Sequence, residues 1–142
     1  MRYEHSIEIN APAETVWDLT LDVEGLPELT PTVTRAQRLD SGPMRVGSQA
    51  RLKQPAQSER VWTVTVCDAP SHFEWTSKMG PMSFVGGHHI EATPSGCRNT
   101  LRIDLTGPGS GLFGRLIGSQ IRKAIATENA GFKRVAEARI SH

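Results

Sequence analysis

The spacing of apolar residues changes once along this 142-residue chain. Before residue 107, apolar and polar residues alternate in short segments, a period of two that is typical of strands with one buried face. After the glycine-rich stretch 107–111, apolar residues recur at intervals of three and four, which is the spacing of one helical face. These are Leu112, Phe113, Leu116, Ile117, Ile121, Ala124, Ile125, Phe132, Val135 and Ala136. A helix of nearly thirty residues is about 45 Å long, and only a broad sheet can cover its apolar face.

Short extended segments and two brief helical segments precede this helix. Residues 3–10 alternate strictly and predict the first strand, and Pro12 with Glu14 marks the start of a short helix. Gly25 and the prolines of 22–31 predict a second helical turn or bend. Six further strands are predicted near 33–39, 46–54, 59–67, 72–78, 82–93 and 98–106. Connections of a few residues favour an antiparallel meander, so we expect an α+β fold of about seven strands wrapped around the C-terminal helix.

Composition excludes several classes of protein. No run approaches the twenty or so consecutive apolar residues of a membrane span, and residues 1–5 do not open a signal peptide. We therefore expect one cytoplasmic domain over 1–142 with no membrane span. Cys67 and Cys97 form no CxxC pair and are expected to be unpaired packing thiols. The chain carries no P-loop, GxSxG, HExxH or EF-hand signature.

Two features suggest a cofactor or a nucleic acid, and neither fits its context. Residues 109–114 match GxGxxG, but a dinucleotide site needs a second parallel strand after the helix, and none is predicted. Residues 110–140 hold two acidic side chains and six basic ones: Arg115, Arg122, Lys123, Lys133, Arg134 and Arg139. No aromatic residues are interleaved to stack bases, so a solvated helix face is the favoured interpretation. We expect no cofactor and no nucleic-acid partner.

Strand alternation predicts which side chains point between the sheet and the helix. Trp62, Val64 and Val66 share one face, as do Phe73 and Trp75 on the next strand. The residues predicted to line a ligand pocket are Trp17, Trp62, Val64, Phe73, Trp75, Phe84, His88, Ile90, Ile103, Ile121, Ile125, Glu128 and Phe132. An apolar container with few polar groups is the usual make-up of a small-molecule site. A solid core of the same aromatic residues is the alternative.

His88 and His89 are neighbours on a predicted strand, so their side chains point to opposite faces. They cannot bind one metal ion together, and no metal site is expected. A bulge at Gly86 and Gly87 would exchange the inward histidine, so the register here decides which of the two faces the cavity. An inward His88 is a candidate for acid/base catalysis, but a hydrogen-bonded, structural or exposed histidine is the favoured alternative.

Glu128 interrupts the apolar stripe formed by Ile121, Ile125 and Phe132. Facing a ligand, its carboxylate would be a hydrogen-bond anchor or a general base, because a buried carboxylate needs a partner or a raised pKa. A position at the rim of the pocket, with the carboxylate in solvent, is the favoured alternative.

Two segments carry a family resemblance that extends over the whole chain. Residues 9–18, Ile-Asn-Ala-Pro-Ala-Glu-Thr-Val-Trp-Asp, and residues 22–31, Asp-Val-Glu-Gly-Leu-Pro-Glu-Leu-Thr-Pro, resemble the first strand, helix and bend of the START-like, or SRPBCC, superfamily. Its polyketide cyclase/dehydrase and lipid-transport branch is the most similar. The resemblance implies the helix-grip fold and an internal tunnel that binds a small hydrophobic or amphipathic molecule, lipid or polyketide-like, without a dedicated cofactor.

The same resemblance leaves two other functions open. One is a polyketide cyclase or dehydratase in which His88 and Glu128 deprotonate a carbonyl-bearing chain. The other is a protein-interaction module similar to the Hsp90-activator or coenzyme-Q-binding members of the superfamily. The sequence names neither the ligand nor a protein partner.

Overall fold

The computed structural model describes residues 1–140 and has the predicted α+β helix-grip architecture. The predicted domain runs over 1–142, and its last two residues lie outside the described ones. The strands are β1 Arg2–Ile9, β2 Arg35–Arg38, β3 Gln49–Lys53, β4 Arg60–Asp68, β5 His72–Met79, β6 Met82–Thr93 and β7 Gly96–Thr106. The helices are α1 Ala13–Leu21, α2 Leu26–Leu29 and α3 Ser110–Ile140, with a single 3-10 turn at Val23–Gly25.

The seven strands form one antiparallel sheet in the order β1-β7-β6-β5-β4-β3-β2. All but one of these neighbours are consecutive in the chain, as a meander requires. The exception joins β1 to β7, where Arg2 lies opposite Asp104 and Ile9 opposite Cys97. Helix α3 packs mainly against β1 and β7, with α1 and α2 beside it. None of the helices within residues 1–140 is long and apolar enough to cross a membrane.

The predicted strand 46–54 is longer than the observed β3, because a turn precedes it. Gly47 has a φ of +95°, and Ser48 donates its backbone N–H to the carbonyl of Arg45 at 2.9 Å. A left-handed backbone of this kind is readily adopted by glycine and interrupts extended pairing. β2 is likewise shorter than the predicted segment 33–39.

A bulge in β4 corrects the predicted inward face of this strand. Val64 lies opposite Trp75, but Val66 lies opposite Glu74, so one residue of β4 is inserted between the two pairs. A bulge of this kind exchanges the faces of the residues that follow it. Val66 therefore does not share the inward face of Trp62 and Val64, and the prediction that it does is wrong.

The register through Gly86 and Gly87 is continuous, and these glycines form no bulge. His88 lies opposite Phe73 and is buried, while His89 lies opposite His72 on the other face of the sheet. Gly86 serves a packing purpose instead, because a Cβ there would stand 3.1 Å from the Trp75 indole. The inward histidine is therefore His88.

A buried amide network fixes α3 to the sheet. Asn129 Nδ2 donates to the backbone carbonyls of His5 and Asn99, each at 3.0 Å, and Asn99 Nδ2 donates to Asn129 Oδ1 at 2.9 Å. Asn99 and Asn129 are both fully buried. The helix is thereby held to β1 and β7 by hydrogen bonds as well as by apolar contacts.

Glycine allows the same helix to approach α2 closely. A Cβ on Gly131 would collide with the backbone carbonyl oxygen of Leu29. Arg134 Nη2 donates to that same oxygen at 2.9 Å, so α3 satisfies the carbonyl at the end of α2.

Candidate functional site

A cavity of about 940 Å³ lies between the sheet and α3. Its wall is formed by the inward faces of the middle strands, the 54–58 loop and one side of α3. Eight of the residues predicted to line a pocket are on this wall: Trp62, Trp75, Phe84, His88, Ile103, Ile121, Ile125 and Glu128. The alternative of a solid core therefore does not describe this part of the molecule.

Five other predicted lining residues are buried but do not reach the cavity: Trp17, Val64, Phe73, Ile90 and Phe132. Aromatic packing explains most of this difference. Trp17 of α1 meets the Phe73 ring edge-on at 6.4 Å, and Phe73 in turn meets Trp75 at 5.2 Å. One part of the space between sheet and helices is thus filled by side chains, and the cavity occupies the rest.

His88 lies where these two parts meet. Its ring contacts Phe73 and Phe132 edge-on, with 5.7 Å between ring centroids in each case. Burial, followed by the nearby His89, lowers the pKa of His88 to about 4, because the interior disfavours the charged ring. The imidazole is neutral near pH 7, and its buried Nδ1 has no hydrogen-bond partner within residues 1–140. No hydrogen bond from Nδ1 to a described residue fixes the ring, while its edge-on contacts with Phe73 and Phe132 fit a structural role.

Glu128 is half-buried and lies on the cavity wall. Burial raises the pKa of its carboxyl to about 7, because the interior disfavours the charged form. The side chain keeps some exposure, so the predicted rim position of the carboxylate stays a prediction. At neutral pH both protonation states of Glu128 are populated, so the group can donate or accept a proton.

Arg60 also lies on the wall, and the sequence analysis missed it. Its guanidinium carbon stands 4.4 Å from the centre of the Phe84 ring, and Nη2 donates to Met79 Sδ at 3.0 Å. No carboxylate among the described residues forms an ion pair with it, and burial lowers its pKa. The missed signal was strand alternation, which places Arg60 two residues before Trp62 on the same face.

Trp62 adds a second unpartnered polar atom. Its ring stands 5.6 Å from that of Trp75, and its buried Nε1 has no acceptor within the described part of the chain. A tryptophan N–H can only donate, so it suits a carbonyl or hydroxyl oxygen. No three metal-ligating side chains of residues 1–140 meet in the cavity. The wall is therefore apolar with a few hydrogen-bonding groups, which fits an amphipathic molecule.

Comparison with known proteins agrees with this architecture. The chain is similar to the Zhui aromatase/cyclase from Streptomyces sp. R1128, with a TM-score of 0.79, 17% identity and coverage of 99% of this chain and 95% of that one. It is similar to the protein TTHA0849 from Thermus thermophilus, with a TM-score of 0.78, 19% identity and coverage of 98% of this chain and 99% of that one.

The di-domain aromatase/cyclase StfQ of the steffimycin biosynthetic pathway has a TM-score of 0.80 and 13% identity; the match covers 99% of this chain and 52% of StfQ. At such identities the likeness shows the fold alone. The sequence profile of the polyketide cyclase/dehydrase and lipid transport family matches residues 1–137. The chain therefore belongs to the polyketide cyclase/dehydrase and lipid transport family, as its sequence resemblance predicted.

Proposed function

We propose that this protein binds a small amphipathic molecule bearing oxygen atoms, lipid-like or polyketide-like, in the cavity between the sheet and α3. The observation that carries the proposal is an apolar cavity of about 940 Å³ with unpartnered polar atoms on Trp62 and His88. A buried polar atom without a partner costs about 1–3 kcal/mol. A ligand oxygen or hydroxyl group at these atoms would remove that cost.

The remaining wall residues suggest how such a ligand is oriented. Phe84, Ile103 and Ile121 offer apolar surface to a chain or ring system. Arg60 offers a guanidinium that has no carboxylate partner among the described residues, so a carboxylate, phenolate or enolate oxygen is favoured beside it. Family membership supports a polyketide-like or lipid-like compound as the class of ligand.

Tryptophan fluorescence tests the binding proposal. We expect an apolar, environment-sensitive dye to bind the folded protein with one-to-one stoichiometry and to change the emission of Trp62 and Trp75, which line the cavity. The variants Trp62→Phe and Trp75→Phe should each remove part of the response. Trp17→Phe is the matched control, because Trp17 is equally buried but does not line the cavity.

Two results would contradict the proposal. One is the absence of saturable binding by dyes, fatty acids and aromatic polyketides in a protein shown to be folded by NMR. The other is a saturable response that Trp17→Phe abolishes and the other two variants leave intact.

Catalysis of an aldol-type cyclisation or dehydration is the second candidate function. It is favoured by the presence of a neutral imidazole and a carboxyl with a pKa of about 7 on the wall of one cavity. Ionised Glu128 would accept a proton from the carbon between two carbonyl groups and return it to the oxygen of the carbonyl that is attacked, and the neutral His88 ring would donate a hydrogen bond to that oxygen. The Zhui protein and StfQ are described as aromatase/cyclases, which supports this candidate by analogy.

Two substitutions separate binding from catalysis. Glu128→Gln keeps the shape and hydrogen-bonding capacity while removing the ionisable group, and His88→Phe keeps an aromatic ring of similar size. For a binding protein we expect both variants to fold, both to bind apolar ligands with little loss of affinity, and the wild type to show no turnover. A cyclase or dehydratase turnover that either variant lowers by about a hundredfold or more, with affinity intact, would establish the enzyme instead.

A further inference from the structure

A second group of side chains, able to ligate a metal ion, lies on the opposite face of the sheet from the cavity. His72 and Glu74 are two residues apart on β5, and His89 lies directly opposite His72 on β6. The ligand atoms of these three side chains all lie within 4.8 Å of one another. They form the outer-face cluster.

We propose that the outer-face cluster binds one divalent transition-metal ion, Zn²⁺ or an ion of similar preference. Two imidazole nitrogens and one carboxylate oxygen are ligands that suit Zn²⁺, Co²⁺, Ni²⁺ and Cu²⁺, whereas Mg²⁺ and Ca²⁺ prefer sites made of oxygen atoms. Three protein ligands leave a fourth tetrahedral position for water.

The sheet holds the three side chains in nearly the required arrangement. His72 Nε2 lies 2.5 Å from Glu74 Oε2, and the rings of His72 and His89 are stacked with centroids 4.2 Å apart. Metal bonds of 2.0–2.1 Å set tetrahedral ligand atoms about 3.4 Å apart. Binding therefore requires the stacked imidazole rings to rotate so that their nitrogens converge, and the metal ion would replace the hydrogen bond between His72 and Glu74.

Gly87 lies beside the cluster on β6. A Cβ at this position would stand 3.6 Å from Glu74 Cγ and 3.8 Å from His89 Nε2. A larger side chain at this position would therefore contact two of the three ligands. The side chains of His72 and Glu74 are 31% and 28% exposed, so an ion can reach them from solvent.

Arg102 opposes cation binding at the outer-face cluster, and Arg2 also interacts electrostatically with Glu74. Arg102 Nη1 lies 3.4 Å from His89 Nε2, and Arg102 Nε donates to Glu4 Oε1 at 3.0 Å. Glu4 offsets part of the positive charge, but the guanidinium still competes with a metal for His89. The proposal therefore predicts that Arg102→Met tightens metal binding.

Metal titration of tag-free, chelator-treated protein tests the site. We expect Zn²⁺ to bind with one-to-one stoichiometry in competition with a chromophoric chelator, and Co²⁺ to give the visible absorption of a tetrahedral site. His72→Gln, Glu74→Gln and His89→Gln should each weaken binding at least about tenfold. Glu91→Gln is the matched control, because Glu91 lies on β6 two residues beyond His89 and is not one of the three ligands.

Gly87→Val provides a second test that changes no ligand. Valine suits a strand, and its side chain would fill the space beside Glu74 and His89, so binding should again weaken at least about tenfold. Circular dichroism shows whether each variant is folded. Zn²⁺ affinity that is the same in wild type, His72→Gln and His89→Gln would overturn the proposal, as would the absence of saturable binding to folded wild type. Because the cluster and the cavity lie on opposite faces, this proposal and the ligand-binding proposal can fail independently.

Discussion

His88 and Glu128 respond to burial in opposite ways, and their effects on stability oppose each other. Folded Glu128 keeps its proton up to pH about 7, but the unfolded chain loses it near 4.5. Between these values the folded state binds more protons, so the free energy of unfolding falls as pH rises. Folded His88 binds a proton only below about pH 4, but the unfolded chain binds one below 6.5, so its contribution rises with pH. Between pH 4.5 and 6.5 the two groups change the free energy of unfolding with pH in opposite directions, so their pH dependences largely cancel.

Single substitutions should reveal each contribution separately. Relative to wild type, Glu128→Gln is expected to gain stability as pH rises from 4.5 to 7, by up to about 3 kcal/mol, because a pKa difference of one unit is worth about 1.4 kcal/mol. His88→Phe should gain stability relative to wild type as pH falls from 6.5 to 4. Urea unfolding at several pH values measures both differences, and comparison with wild type removes the contribution of other groups. Parallel pH profiles for all three proteins would show that neither group is buried in the unliganded protein.

Residue-level prediction succeeded where alternation alone decides the side-chain direction. His88 follows Phe84 by an even number of residues on one uninterrupted strand, and its inward direction is confirmed. The same rule places Arg60 on the inward face with Trp62, and Arg60 lies on the cavity wall. The hydrogen-bond partners of Asn129 could not be predicted from the sequence pattern, because they lie on strands more than twenty residues away in sequence.

Helix α3 contains glycines whose surroundings differ sharply. Gly131 has the backbone oxygen of Leu29 where a Cβ would stand, whereas Gly111 has no atom within 4 Å of that position. A backbone atom cannot move aside as the end of a flexible side chain can. Substitution by alanine should therefore affect stability in opposite directions at the two glycines.

We expect Gly131→Ala to destabilise the protein by about 1–3 kcal/mol, because overpacking against α2 outweighs the better helix propensity of alanine. Gly111→Ala, the matched control in the same helix, should be neutral or stabilising by up to about 1 kcal/mol. Urea denaturation measured by circular dichroism compares the two variants. Equal effects of both substitutions would mean that α3 does not approach α2 as closely as described.

Element-level prediction failed at the β4 bulge for a physical reason. Val64, Thr65 and Val66 continue an apolar-polar-apolar alternation, so nothing in the sequence marks the residue that is inserted. The bulge is defined by the pairing of β4 with β5, where Val64 faces Trp75 and Val66 faces Glu74. Such a shift depends on two strands together and leaves no signal in either one.

At the scale of the whole molecule, architecture was predictable and the extent of the cavity was not. The change from a period of two to a period of 3.6 after residue 107, with short connections before it, was sufficient for the antiparallel sheet and its long helix. Alternation shows that Phe73 and Phe84 both point inward. It does not show that Trp17 of α1 fills the space beside Phe73 and leaves the space beside Phe84 open.

The pairing of β1 with β7 has a consequence for how the protein is made. β1 ends at Ile9, and the strand that completes its hydrogen bonds begins at Gly96. At the usual rate of translation, about 5–20 residues per second, this separation corresponds to about 4–17 s. The hairpins from β2 to β6 can form on the ribosome during that time, because their partners are adjacent in the chain. β1 waits without a strand partner, so closure of this edge of the sheet is a late step in the biogenesis of the fold.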